Sequence, residues 1–121
     1  MERRLETLER FGGGGGVNID KQEIASSATP TPVGSEFRNE LYITALAENA
    51  TFAAPSGTPV NGNVITIRVK DNGTARTLSW NAIYDDPYSA DLPATTTQSQ
   101  TLLMAFKYNS QSVKWELVAI A

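Results

Sequence analysis

The chain has 121 residues, 40% of them apolar and 19% charged, with a net charge of −3, a pI of about 4.9, and neither cysteine nor histidine. Ser-His-Asp and Cys-His nucleophilic sites, imidazole or thiolate zinc sites and a disulfide framework are therefore excluded. The acidic balance argues against a nucleic-acid binder that works by counterion release.

Met1, Leu5, Leu8 and Phe11 recur at spacings of four, three and three with charges between them, which predicts one apolar stripe on a short helix over 1–11. Glu6 stands four residues before Arg10, the favourable order on a helix face. Eleven residues do not hold a helix in water unaided, so these four side chains are the candidate partner-anchoring residues. The charged start, Glu2-Arg3-Arg4, does not match a signal peptide. No stretch reaches the roughly 18 apolar residues that a membrane span needs.

Five glycines, Gly12–Gly16, then give way to a polar stretch with Pro30 and Pro32. Residues 12–35 read as a Gly-rich linker and an extended arm that could reach roughly 80 Å. The glycine run lacks the Lys-Ser/Thr ending of a phosphate cradle.

From 36 to 121 the pattern is that of a β domain. Leu41–Leu46 alternates loosely, and Thr51–Ala53 is a short candidate strand. Val64–Trp80 carries Asn72-Gly73 at its centre, a strong hairpin signal. A two-residue loop there pairs Val69 with Arg76, Ile67 with Leu78 and Ile65 with Trp80, leaving Thr66, Arg68 and Lys70 on the opposite face. Thr101–Tyr108 and Val113–Ile120 form a second hairpin, which pairs Tyr108 with Val113, Phe106 with Trp115, Met104 with Leu117 and Leu102 with Ala119. Its reverse face sets Lys107 against Lys114, a like-charge contact, and Leu103 against Val118, which asks for cover from the other sheet or a neighbouring subunit. Short strands joined by such turns point to an all-β fold, a small β-sandwich or jelly-roll-like barrel, with the N-terminal helix and arm outside it.

Residues 81–100 read as a long surface loop. Trp80 and Trp115 fall on inward faces and read as core. Tyr84 and Tyr88 lie in the loop and are the candidate receptor or glycan contacts. Asp85, Asp86 and Asp91 read as solvated loop charges rather than a glycosidase pair, since Asp85 and Asp86 would point apart on an extended chain. Asp71-Asn72-Gly73 and Asp85-Asp86 lack the spacing of a calcium loop, and Asp71 is explained by turn chemistry. No metal or cofactor is implied, and nothing assembles catalytic machinery.

The stretch Gly57–Gly62 (GTPVNG), the run IRVKDNGTARTLSWNAIY over 67–84, Leu92-Pro93, Thr95-Thr96-Thr97, and the ending YNS…KWELVA over 108–119 together resemble a domain that recurs in tailed-bacteriophage structural proteins of the tail-fibre and head-fibre type. The resemblance covers about half the chain and its central run is the most specific part. It implies a compact β body in a virion appendage, commonly trimeric, and carries over no catalytic residue. The expectation is a non-enzymatic virion protein on the particle exterior. It would be a homotrimeric capsid decoration (cement or head-fibre) protein held through residues 1–35 to the major capsid protein or another virion protein. The alternative is a receptor-binding or structural module of a tail fibre or baseplate that meets a host surface glycan. Neither reading involves nucleic acid, a membrane or a cofactor.

Overall fold

The computed structural model describes residues 19–88 and 91–121. The short helix expected over 1–11, with Met1, Leu5, Leu8 and Phe11, lies outside the described residues, as does the glycine run. Eight strands follow in chain order: β1 (Ile19–Ile24), β2 (Arg38–Leu46), β3 (Ala50–Phe52), β4 (Val64–Asp71), β5 (Leu78–Trp80), β6 (Tyr84–Asp85), β7 (Thr101–Asn109) and β8 (Lys114–Ile120). There is no helix among the described residues. The fold is all-β and sandwich-like: a six-stranded mixed sheet, ordered β1-β2-β4-β7-β8-β6, faces a smaller layer built on β3-β5.

Alternation explains the larger sheet. In β2, β4 and β7 alternate residues turn inward, Asn39 and Asp71 at the strand ends and apolar ones between, and the latter form one buried face: Leu41 and Ile43, then Ile65, Ile67 and Val69, then Met104 and Phe106. The register aligns them, with Leu41 beside Ile67 and Ile67 beside Met104. Fully burying a side chain of this size contributes about 1.5–3 kcal/mol, so a one-residue slip that turned this face outward would be heavily disfavoured.

The hairpin expected at Asn72-Gly73 does not form. β4 is flanked by β2, in parallel, and by β7, antiparallel, while β5 pairs in parallel with β3 in the other layer. The two runs share the core as anticipated, but face to face rather than side by side. Gly73 adopts the positive φ (104°) that the turn needs, yet the chain leaves the turn into the second layer. Asp71 directs this. Its carboxylate accepts from Gly73 N (3.0 Å), from Ser99 N (2.8 Å) and from the Thr96 hydroxyl (2.7 Å), tying the 96–99 loop to the end of β4.

The arm expected over 12–35 is also revised, because residues 19–35 belong to the body. β1 pairs with β2 in parallel. Residues 28–34 then run beside β3, with Thr51 N donating to Ala28 O, Ala53 N to Pro30 O, and Ser56 N to Pro32 O. The chain thus coils between layers, from β1 to 28–34, β2, β3, β4 and β5, and each pass stacks in parallel on the one before. Pro30 and Pro32 turn their carbonyls toward β3 but have no N–H to return, so this edge of the ladder is only half bonded. In this register the donor opposite the Ala53 carbonyl would be residue 32, a proline. That carbonyl accepts instead from the Tyr84 hydroxyl at 2.7 Å.

The C-terminal hairpin is present, offset by two residues from the expected register. Tyr108 pairs with Trp115, Phe106 with Leu117, Lys107 with Glu116 and Asn109 with Lys114. An offset of two keeps the same face inward, and it replaces the Lys107–Lys114 contact with an opposite-charge pair. Val113, expected opposite Tyr108, is instead an exposed turn residue with φ 57°. A register irregularity between Ala105 and Phe106 then brings Ala105 opposite Ala119 and Met104 opposite Ile120.

Between the layers lies an aromatic cluster. Phe52 stacks on Trp80 (4.3 Å between centroids, 10° between planes), and Trp80 meets Tyr84 and Phe106 at 5.3 and 5.5 Å. The half-buried Trp80 donates its indole N–H to Pro93 O at 2.8 Å, while Trp115 is buried against Tyr108, 5.2 Å between ring centres. Both tryptophans belong to the core, as their alternation predicts.

Candidate docking surfaces

Asp71 is the only charged residue in the buried set of the described residues, and both of its oxygens accept from the three donors above. The Ser99 amide contributes most, and with the Thr96 hydroxyl, the Gly73 amide and the Arg76 charge it outweighs burial and holds the carboxyl below its ordinary value. A carboxylate so held is ionised at neutral pH and has no proton to give. Burial pushes the Tyr84 hydroxyl well above its ordinary value, so it stays a hydrogen-bond donor. No group of three Asp or Glu side chains with metal-site spacing occurs among the described residues.

The two loop tyrosines separate. Tyr84 is 4% exposed and lies in the core as part of β6, beside Trp115 of β8, so its expected role as a surface contact is withdrawn. Tyr88 is 89% exposed in a turn held by Tyr88 N donating to the Asp86 carboxylate at 3.0 Å. The structure does not bring the two together on one surface.

Two apolar surfaces stand exposed, the first made of residues that the sequence reading did not single out. The first is one end of the larger sheet. Ile19, Phe37, Val60 and Val113 are all more than half exposed, and the ladder gathers them. Ile19 begins the row Ile19–Arg38–Val64–Lys107–Glu116. Phe37 O accepts from Val64 N, Val60 O from Asn63 N, and Asn61 Oδ1 from Ser110 N in the turn that holds Val113. Residues 1–18 join the body at this same end. Lone apolar side chains on loops carry little sequence signal, because only the fold brings them together.

The second is the outer face of the larger sheet, opposite the core. Across β1, β2 and β4 it is charged and polar: Lys21 and Arg68 both lie over the Tyr42 ring, 4.8 and 5.3 Å from its centre, and the Tyr42 hydroxyl donates to Glu40 at 3.2 Å. Across β7 and β8 it turns apolar, with Leu103, Ala105 and Ala119, and Ile120, opposite the buried Met104, borders it at the end of β8. A shallow groove of about 250 Å³ lies here, lined by Thr66, Leu103, Ala105, Ala119, Ile120 and Ala121. Val118 and Ile120 are each 54% exposed. This is the reverse face of the second hairpin, whose apolar residues predict a cover; within the described chain nothing supplies one.

The chain matches no family model, no curated protein and no solved structure.

Proposed function

We propose, first as a class, that this protein is a non-enzymatic module that holds or is held by other proteins. Within that class, it is a bacteriophage capsid decoration protein of the cement or head-fibre type. In this reading it is a homotrimer on the outside of the virion, and its N-terminal segment grips the major capsid protein or another virion protein. The observation that carries the reading is the end of the sheet where residues 1–18 join the body. Four exposed apolar side chains, Ile19, Phe37, Val60 and Val113, are spread along that end of the sheet, and an apolar stripe, Met1, Leu5, Leu8 and Phe11, lies just upstream. The body between residues 19 and 121 keeps its one buried carboxylate in a structural knot, so contact rather than chemistry is what its surface offers. A protein that binds only the assembled shell stabilises it by linkage.

Tyr88 favours a second reading, a receptor-binding or structural module of a tail fibre or baseplate. A tyrosine almost fully in solvent is a ready stacking surface for a sugar ring. Quantitative mass spectrometry of purified particles separates the two. Copy number in proportion to the major capsid protein supports decoration, and copy number in proportion to a tail protein supports the second reading. Deletion of residues 1–16 is expected to abolish loading onto particles. A truncated protein that still loads at full occupancy would overturn the anchoring role.

A further inference from the structure

The outer-face groove and the stripe upstream of it fit each other. The groove floor is made of small side chains, Thr66, Ala105 and Ala119, aligned in one ladder row with Lys21 and Glu40. Leu103 is its large apolar member, Ile120, opposite Met104, borders it at the end of β8, and Val118 precedes Ala119 on the same strand. A floor of small residues lets a helix approach a sheet closely, and larger flanking residues then contact its sides. Along β7 the outward apolar and small positions, Leu103 and Ala105, lie roughly 7 Å apart, about one helical turn and a quarter. An eleven-residue helix is about 16 Å long.

Reach and direction agree as well. The tether, residues 12–18, begins with five glycines and can extend about 23 Å. It ends at Ile19, whose side chain lies on this same outer face, in register with Arg38 and Val64. Ala105 lies three strands away and two rows along, about 16 Å from Ile19 at ordinary strand spacing. A short flexible linker gives the segment an effective concentration in the millimolar range toward its own body, far above that of a neighbouring copy in dilute solution. The segment needs a surface to be helical, and the groove is an apolar surface without a cover among the described residues.

We infer that residues 1–11 of the same chain dock in this groove, with Met1, Leu5, Leu8 and Phe11 against Leu103, Ala105, Ala119 and Ile120. The inference goes beyond the virion reading and does not rest on it. On a particle, the shell would compete with the groove for the segment.

The chain has no cysteine, so a nitroxide placed at Glu6→Cys, on the side of the helix away from the stripe, is a single clean label in the full-length protein. Docking is expected to broaden the amide signals of Leu103, Ala105 and Ala119 in the labelled chain, relative to the same sample with the nitroxide reduced. Adding Leu5→Asp and Leu8→Asp, which leave the body untouched, is expected to restore them. An equimolar mixture of nitroxide-bearing chains without ¹⁵N and ¹⁵N chains without nitroxide is expected to show no loss. Loss in the mixture would mean that a second copy fills the groove, and no loss in either sample would mean that the segment rests elsewhere; each overturns the inference. The measurement is made on isolated protein and the loading test on particles, so failure of one is distinguishable from failure of the other.

Discussion

Val113 holds a left-handed backbone conformation that a β-branched side chain rarely adopts, and it does so in an exposed turn with φ 57°. The turn closes through the side chain of Asn109, which accepts from Gln111 N at 2.9 Å, and through Ser110 N donating to Asn61. The strain at 113 is therefore imposed by the offset that pairs Lys107 with Glu116. Replacing Val113 with Asn, which tolerates this region, is expected to raise stability by about 1 kcal/mol, read as a shift in the urea midpoint with unchanged slope. An unchanged midpoint would show that the turn relaxes at no cost. Gly34 presents the opposite constraint. A Cβ there would lie 2.8 Å from both Pro55 Cβ and Trp115 Cζ2, in the place where the 28–34 pass crosses the indole. Gly34→Ala is expected to destabilise the fold by about 1–3 kcal/mol, as overpacking does. The tryptophan fluorescence of the native state should shift as Trp115 moves; identical melting curves for the two proteins would contradict this close contact.

At the level of elements, the knot at Asp71 decides how β4, the turn after it and the 96–99 loop are joined. Its carboxyl has a folded-state pKa below the ordinary value of 3.8. The contribution is thus full above about pH 4 and is lost as pH falls through the lowered folded value. Amide exchange at Gly73 and Ser99, which donate to the carboxylate, is expected to accelerate relative to the core of β4 in that acid range. In Asp71→Ala, which removes the shared acceptor, the two amides should be poorly protected at neutral pH, and the acid step at these sites should vanish. Equal protection in variant and wild type would remove Asp71 from this role. The same element shows what the sequence could and could not disclose. Alternation identified the inward faces of β4 and β7 correctly, since a period of two fixes which residues share a face, and in β8 it placed Trp115 and Leu117, whereas Val113 falls in the turn and the irregularity turns Ala119 outward. It does not fix which strand lies alongside. Asn72-Gly73 signalled a reversal, and the reversal exists, but Thr96 and Ser99, more than twenty residues away, choose its direction. Tyr84 was hidden for a related reason. Its strand is two residues long within an Asp-rich loop, and its acceptor, Ala53 O, is free only because residue 32 is a proline. The exposed apolar end was equally out of reach, being made of loop residues that only the ladder brings to one side, whereas the apolar reverse face of the second hairpin was legible from its alternation.

The whole molecule is a parallel coil of three passes closed by an antiparallel hairpin, so most of its pairing joins residues distant in the chain. β1 must wait for β2, nineteen positions on by register, and β2 for β4, twenty-six positions on. Topologies of this kind fold on the millisecond-to-second scale rather than in microseconds. Stopped-flow dilution from denaturant, followed through Trp80 and Trp115, is expected to show a resolved phase in that range; refolding complete within the dead time would contradict a coil assembled pass by pass. A stack of parallel passes also has no intrinsic end, because each pass presents its free edge to the next one. Here the 28–34 pass terminates the smaller layer. Two of its outward amides are already engaged, Val33 N by the Gln22 side chain and Thr29 N by Ser27 Oγ. On the other layer, β1 places Asp20, Lys21 and Glu23 along the rim, where charge discourages a further strand. Among the described residues, both layers therefore end on edges that discourage end-to-end growth into filaments.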